Sequence, residues 1–594
     1  MGQRNYKNLI EMQQASCELN NSRKMYGTKT DGRYDWITFG QFAEQVDHLR
    51  GGLASLGIKP GEKIGIISNN CVEWSVGAYA TYGLACHYVP MYESQVLEDW
   101  RYIINDSGIR VLIVKDETIY NTVRALTGEI ATLDFVIPMF ADSDAEITYQ
   151  TLQGIGAEKP VDAILPNPEE PMGLIYTSGT TGNPKGVILT HKNLMTQIDA
   201  LDQIAGKMIK ETDRGLSFLP WAHLMGQIQE VHLLLFFGFS SGLVADINEI
   251  VDDFALVKPT LFFSVPRLFN KIHDGISIKM SQRGGLIQSL YQKGISLSQA
   301  AMQGKKLGLL GQLQLGIANK LIFSKIRDLF GGRLRLAFSG GAELSQEVVE
   351  FLDCIGIPVY EGYGQTETTM AVTMNTPEAR RLGSVGKAVP NARVVLDQTV
   401  ETTREDEGEI VVYGPLIMSG YHNLPEETAA TVDADGGCRS GDLGRFDEEG
   451  FLFLTGRIKE IYKLENGKYV SPGPLEEKLK ISPYISQVMI CGANKRNNVA
   501  LIIPEVDLLK TYAAENQVDT TQAEWYENPK ISDLIRQEID SQSESFKGFE
   551  KPRKFALVME DWTPDNGLLT PTLKLKRRLI VEKYEKMIEK LHTV

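Results

Sequence analysis

The sequence predicts an α/β protein. A large N-terminal unit of parallel sheets with a distorted antiparallel β-barrel piece is followed by a small, mobile α+β C-terminal unit. Three observations carry this. From about Lys63 to Gly364, short apolar runs alternate with helix-patterned stretches, the texture of parallel sheets covered by helices. From Ser384 to Leu454, short strands are punctuated by Gly and Asp, which suits an antiparallel barrel. At 594 residues the chain also exceeds what one hydrophobic core organises.

The expected strands of the first region are Lys63–Ser68, Arg110–Val114, Met172–Tyr176, Val187–Thr190, Leu216–Leu219, Thr260–Val265 and Leu334–Ser339. Most are short and rich in β-branched or aromatic residues, and several feed Gly, Asn or Pro and then a helical pattern. Val231–Ile247 is apolar but contains Gly238 and Gly242, and is short for a membrane span of roughly 20 residues; it reads as a buried helix followed by a strand. Leu307–Phe323 is apolar but broken by Gln312, Gln314, Asn319 and Lys320. It reads as an amphipathic helix packed on the body, with peripheral membrane contact as the alternative. Ala392–Leu396, Glu409–Val412 and Phe451–Leu454 are the strands of the antiparallel piece. A boundary is expected at 456/457, giving units 1–456 and 457–594. The second carries a polar helical elaboration, Leu508–Phe549, and ends in one charged helix, Leu573–His592.

Composition narrows the function classes. Hydrophobic content of 43% and charged content of 23% are those of a globular protein, and the net charge of −15 opposes general nucleic-acid binding. The six cysteines are scattered without a metal-type spacing, and read as reduced, mostly buried thiols of a cytoplasmic protein. The first residues lack an apolar signal core, and Tyr6 stands where a myristoylation motif wants Ser or Thr.

The most informative stretch is Tyr176-Thr177-Ser178-Gly179-Thr180-Thr181-Gly182-Asn183-Pro184-Lys185-Gly186. Glycines let a backbone turn its N–H groups toward a polyphosphate. Thr177, Ser178, Thr180 and Thr181 can donate to phosphate oxygens or ligate Mg²⁺, and Lys185 adds a compact positive charge. It is not a Walker A loop: no Gly-Lys-[Ser/Thr] follows at the required spacing, and a strand is expected next.

This loop resembles the signature of the adenylate-forming superfamily of acyl-CoA synthetases, luciferases and adenylation domains. Four further segments resemble that family's motifs in the family's order: Gly362-Tyr363-Gly364-Gln365-Thr366-Glu367, Ser440-Gly441-Asp442-Leu443, Gly456-Arg457-Ile458-Lys459-Glu460 and Leu569-Thr570-Pro571-Thr572-Leu573-Lys574. The resemblance spans nearly the whole chain. It implies ATP, Mg²⁺ and coenzyme A as ligands, and a carboxylate that attacks the α-phosphate.

Each residue then has an implied task. Glu367 and Thr177 are implied as Mg²⁺ ligands, and Thr366 stands with the catalytic set. Gly362, Tyr363 and Gly364 lie against adenine, with Gly340, Gly341 and Ala342 close to the adenine and acyl group. Asp442 accepts from the ribose hydroxyls, Arg457 contacts ribose or phosphates, and Lys574 reaches the reacting oxygens. Taken alone, a Glu after Gln-Thr, an Asp after Ser-Gly and a Lys in a basic stretch are ordinarily surface residues. The family more often has Gly where Leu573 stands. The resemblance also implies a swing of the small unit about Lys459, which brings a loop matching Gly467 to the thiol tunnel.

Leu219-Pro220-Trp221-Ala222-His223 resembles the acyl-activating branch, and no carboxylate stands near it to pair an amino acid's ammonium. His223 is placed beside the substrate carboxylate, or as a capping or core histidine. The 508–549 elaboration resembles the long-chain fatty acyl-CoA synthetases, implying a fatty acid substrate, with medium chains left open. A carrier-protein thiol as acceptor, a fatty acyl-AMP ligase that stops at the adenylate, and a non-catalytic nucleotide- or lipid-binding relative are the alternatives.

Overall fold

Two sheets with parallel strands form the body of the large unit. The computed structural model describes residues 5–139, 145–177, 183–342, 344–402, 404–522, 524–570 and 572–593. The larger sheet has seven strands in the order Gly420–Tyr421, Lys185–Thr190, Pro171–Thr177, His87–Met91, Lys63–Ile67, Ile109–Val114 and Phe135–Pro138. Its central strands are parallel, and Lys185–Thr190 runs antiparallel to Pro171–Thr177. Residues Ile64, Ile66, Val111 and Ile113 face one apolar cluster, while Ile67, Leu112 and Val114 face another. Burial on both faces explains why these strands read as continuous apolar runs.

In the second sheet, Leu261–Ser264, Leu336–Ser339 and Val359–Tyr363 are parallel, and Thr373–Met374 and Lys387–Ala388 extend it antiparallel. The expected strand Leu216–Leu219 falls at Arg214–Ser217, in a four-stranded sheet with Ser240–Leu243, Lys24–Thr30 and Arg33–Thr38. The expected buried helix ends at Phe237 and the strand Ser240–Leu243 follows. The piece expected as a distorted barrel hydrogen-bonds, among the described residues, in the open order Arg393–Asp397, Gly408–Tyr413, Cys438–Phe446, Leu452–Arg457. Register shifts at Glu409/Val411 and Leu443/Gly444 supply the distortion.

The small unit is built on Ile485–Cys491, Asn498–Pro504 and Pro552–Leu557. Side chains alternate across this sheet. Val488, Ile490, Ala500 and Ile502 meet Leu475, Leu509 and Ile535, whereas Met489, Val499, Leu501 and Ile503 meet Trp562, Ile580 and Ile588. Two helices, Val506–Glu515 and Pro529–Gln542, make up the 508–549 elaboration.

Two expectations are corrected. The single helix Leu573–His592 is two helices, Arg577–Lys583 and Glu585–Thr593, broken at Tyr584. Residues 573–576 precede them in a turn closed by the bridge Leu569↔Leu575. The segment Leu307–Phe323 does not bury its apolar side: Leu309, Leu310, Leu313, Ile317 and Leu321 are exposed. Its inner face is supplied instead by Ala318, Ile322 and Phe323. Among the described residues all six cysteines are free and four are buried, and no helix is long and apolar enough to cross a membrane.

Candidate functional site

The loops that leave the C-terminal ends of the three parallel strands Leu261–Ser264, Leu336–Ser339 and Val359–Tyr363 lie where an α/β sheet usually holds its ligand, in the crevice outside the strand ends. The loops are packed together. A side chain at Gly340 would stand 3.3 Å from Met225 Sδ and 3.6 Å from the Gly362 carbonyl. At Gly364 a Cβ would lie 1.3 Å from the carbonyl oxygen of Met370, so no other residue fits. Thr369 and Met370 both take positive φ, 54° and 85°, in the turn that follows Glu367. Backbone held in that region is strained, and such strain clusters at sites.

Asp442 is the polar centre. Tyr363 donates its hydroxyl to Oδ2 at 2.8 Å, and Gln365 donates Nε2 to the same oxygen at 2.7 Å. Gln365 also donates to the Ser440 carbonyl at 2.8 Å. On the other side, Arg457 Nε stands 2.8 Å from Oδ1. Asp442 and Arg457 are direct cross-strand partners, so the sheet register itself sets this pair.

Glu367 accepts from the Tyr421 hydroxyl at 2.8 Å through Oε1, while its backbone carbonyl accepts from Met418 N at 2.9 Å. Thr366 is buried beside it. Lys185 opens its strand with Nζ 5.1 Å from the centre of the Tyr421 ring and pairs with Glu427, holding that carboxyl below its ordinary range. Thr177 ends the neighbouring strand, its Oγ1 3.5 Å from the Lys185 carbonyl. Thr177, Lys185, Tyr421 and Glu367 thus form a connected group. Ser178, Gly179, Thr180, Thr181 and Gly182 lie outside the described residues.

Lys574 reaches this cleft from the small unit. Its turn is closed by the Leu573 N–H to the Thr570 carbonyl at 2.8 Å and the Thr570 N–H to the Lys574 carbonyl at 2.9 Å. The Lys574 N–H also donates to Thr570 Oγ1 at 3.0 Å. Leu573 adopts φ 62°, where a glycine is at ease and a leucine is strained. Lys574 is exposed to solvent, yet enough protein stands around it to desolvate its ammonium in part. This desolvation, with Arg457, pushes its ammonium pKa down, while Asp442, Glu367 and Glu460 pull it up. One positive group therefore stands within the field of three carboxylates and one guanidinium.

His223 faces the same space. Burial, reinforced by the Lys574 charge, pushes its imidazole pKa down to about 4. Its Nδ1 accepts the Met225 N–H at 3.2 Å as the cap of a short helix turn. A neutral ring that accepts at Nδ1 carries its proton on Nε2, free to donate to an anion. The cap and the anion-facing positions, alternatives in the sequence, are therefore compatible.

Beneath the loop lies a group that sequence reasoning missed. Glu230 is buried in a π-helical turn, Gln227–His232. It accepts from the Ser217 hydroxyl, from Trp221 Nε1 at 3.0 Å, and from the N–H groups of Phe218 and Leu219 at 3.3 and 3.4 Å. Burial pushes its pKa up to about 8 against these four donors. Gln365, Tyr421 and Glu427 were missed as well. Gln365 had a signal, since it lies inside the Gly362–Glu367 motif, whereas Tyr421 and Glu427 had none.

Other expected residues lie farther out. Gly341 and Ala342 are exposed in the loop after Ser339, with Gly341 at φ 82°. Lys459 sits in the 3-10 turn Ile458–Glu460, immediately after the strand that carries Arg457. Gly467 (φ 83°) occupies the exposed turn between Tyr462–Lys463 and Tyr469–Val470.

Residues 16–422 match the model of the AMP-binding enzyme family, and residues 459–593 match that of the AMP-binding enzyme C-terminal domain. The chain is 32% identical to long chain acyl-CoA synthetase 6, peroxisomal, of Arabidopsis thaliana, over 95% of this chain and 82% of that protein. It is 31% identical to the long-chain-fatty-acid–CoA ligase FadD15 of Mycobacterium bovis, over 96% of this chain and 94% of that protein. In fold it resembles the adenylation domain of a carboxylate reductase from Mycobacterium chelonae, with a TM-score of 0.82 at 21% identity, covering 100% of this chain and 92% of the other. With about two thirds of its length under one family model and residues 459–593 under the matching C-terminal one, the chain belongs to the family of AMP-binding enzymes.

Proposed function

We propose that the protein is an ATP-dependent long-chain fatty acid–CoA ligase. The observation that carries the reading is the meeting of Lys574 with Asp442, Glu367, Arg457 and His223 in one cleft. The names of the relatives, a long chain acyl-CoA synthetase and a long-chain-fatty-acid–CoA ligase, support the acid and the acceptor.

In the first step the fatty acid carboxylate attacks the α-phosphate of ATP. An O–P bond forms, the bond to the β-phosphate oxygen breaks, and pyrophosphate leaves with acyl-AMP retained. Two anions are forced together, so positive charge must stand where negative charge develops. Lys574 supplies it at the reacting oxygens, and Lys185 at the leaving phosphates once it turns from Glu427. Asp442 accepts from the ribose hydroxyls with its orientation set by Tyr363, Gln365 and Arg457. His223, neutral with Nε2–H free, holds the carboxylate without becoming its proton source.

Glu367 and Thr177 fit a Mg²⁺ ion: both offer hard oxygens, and Mg²⁺ takes one or two carboxylates plus substrate phosphates. Among the described residues no cluster of three or more His, Cys, Asp or Glu stands ready to hold a metal alone, so the substrate's oxygens would complete the shell. When bound, the ion neutralises phosphate charge.

In the second step the CoA thiolate attacks the acyl carbonyl and AMP leaves. Lys574 must withdraw for the thiol to enter, and we assign that movement to a swing of residues 457–594 about Lys459, carrying Gly467 toward the site. The test supplies palmitate, ATP and Mg²⁺ and follows pyrophosphate, then AMP and acyl-CoA after CoA is added. Pyrophosphate followed by stoichiometric acyl-CoA supports the reading. No pyrophosphate with any fatty acid refutes it, and pyrophosphate without CoA consumption points to a carrier thiol as acceptor or to an enzyme that stops at the adenylate.

A further inference from the structure

The outward face of the helix Leu309–Ala318 and its continuation to Asp328 has no part in the site above. Its exposed side chains are Leu309 (87% exposed), Leu310 (69%), Leu313 (62%), Ile317 (42%) and Leu321 (52%), and Leu286 (90%) stands at the start of the preceding helix, Gly285–Met302. Leu309, Leu313, Ile317 and Leu321 recur every four residues, a single ridge. The opposite face is fully engaged: Ala318 and Phe323 press on Gly294, where a Cβ would come within 2.7 Å of Ala318 Cβ, and Ile322 and Ile326 enter the core. The outer leucines are therefore not a core face displaced.

The charge around this ridge departs from the rest of the chain. Residues 275–327 contain eight Lys or Arg and no Asp or Glu, in a chain whose net charge is −15. Lys293, Lys305, Lys306, Lys320 and Lys325 are exposed.

We propose that this face docks the protein on an anionic lipid bilayer surface. An aliphatic ridge bordered by lysines is the composition that enters the headgroup boundary, apolar side chains below and ammonium groups at the phosphates. The acidic remainder of the molecule is repelled by the same surface, so the basic face is the one turned toward it. A second copy of this chain is disfavoured as occupant, because a two-fold interface would set the basic cluster against itself. A protein partner is disfavoured because the ridge carries none of the Trp or Tyr anchors that dominate such interfaces. No described helix can cross a bilayer, so the contact is peripheral.

The docking face does not rest on the ligase reading, and its test uses no activity. The full-length chain is floated with phosphatidylcholine vesicles, with and without about one-third phosphatidylglycerol, alongside Leu309→Glu/Leu313→Glu and Lys305→Gln/Lys306→Gln variants. Oligomeric state and melting temperature are measured for each. Wild type is expected to float with the anionic vesicles and to be released by salt. The lysine pair should weaken binding by roughly tenfold or more, and the leucine pair should abolish it, with melting temperatures unchanged. Absence of flotation, flotation equal in wild type and both variants, or a wild-type dimer that the leucine pair dissociates would each overturn the proposal.

Discussion

Lys574, on the turn that opens the last helical segment, lies close enough to His223 in the large unit for its charge to help hold that imidazole neutral. The two residues belong to different units of the chain and meet only because the small unit is docked over the cleft. The ligase reading takes this arrangement as the one set for attack at phosphorus rather than for attack by a thiol.

The neutrality of His223 has a measurable sequel. A group with a pKa of about 4 contributes no titration between pH 5 and 8. Acyl-adenylate formation is expected to show no limb assignable to an imidazole in that range. His223→Gln, which keeps an N–H donor, should retain more activity than His223→Ala, for which a loss of roughly 10²-fold is expected from removing a donor to the reacting anion. Equal losses in both would place His223 outside the carboxylate's reach.

Asp442 should govern nucleotide affinity. Asp442→Asn preserves shape but removes the charge that Arg457, Tyr363 and Gln365 address. A lost charge-assisted hydrogen bond costs about 1.5–3 kcal/mol. The KM for ATP in pyrophosphate exchange should rise about 10- to 100-fold, with a smaller change in the KM for the acid.

Glu230 makes stability depend on pH. Its folded pKa, about 8, lies above the unfolded carboxyl value of 4.5, so the folded state binds the extra proton between those limits. Stability from this group is complete below pH 4.5, and falls as pH rises toward 8. Glu230→Gln should remove that slope, seen as melting temperatures that converge at low pH and separate by pH 8. The difference there is on the order of a few kcal/mol in the variant's favour. Parallel curves for the two proteins would contradict the assignment.

Leu573 carries backbone strain where a glycine would not. Leu573→Gly is expected to be tolerated, gaining up to about 1 kcal/mol by relief of the left-handed conformation. Leu573→Val, branched at Cβ, should destabilise the turn and lower adenylation. Denaturant titrations with adenylation rates measured alongside would distinguish the two.

Much of this architecture was legible in the sequence because it is written locally. Runs such as Lys63–Ile67 and Ile109–Val114 declare strands buried on both faces, and the Gly-rich motifs declare the turns between strand and ligand. Asp442 and Arg457 could each be picked out, but their pairing depends on a register between two strands that no local pattern specifies. Glu230 was invisible for a related reason: a lone Glu inside an apolar helix carries no sign of four donors converging from the preceding loop. Leu573 could be recognised as a departure from the family's glycine, while its positive φ followed only from the closed turn. The helix 309–328 misled because an apolar run normally signals burial, and its short interior face is already filled by Ala318, Ile322 and Phe323.

The central claim is that Lys574 belongs to the first half-reaction alone and must leave before the second. The most direct measurement compares wild type and Lys574→Ala in two separate assays: pyrophosphate release from ATP and palmitate, and acyl-CoA formation from supplied palmitoyl-AMP and CoA. The account predicts a loss of about 10²- to 10³-fold in the first, and near wild-type rates in the second. Equal losses in both assays would contradict it.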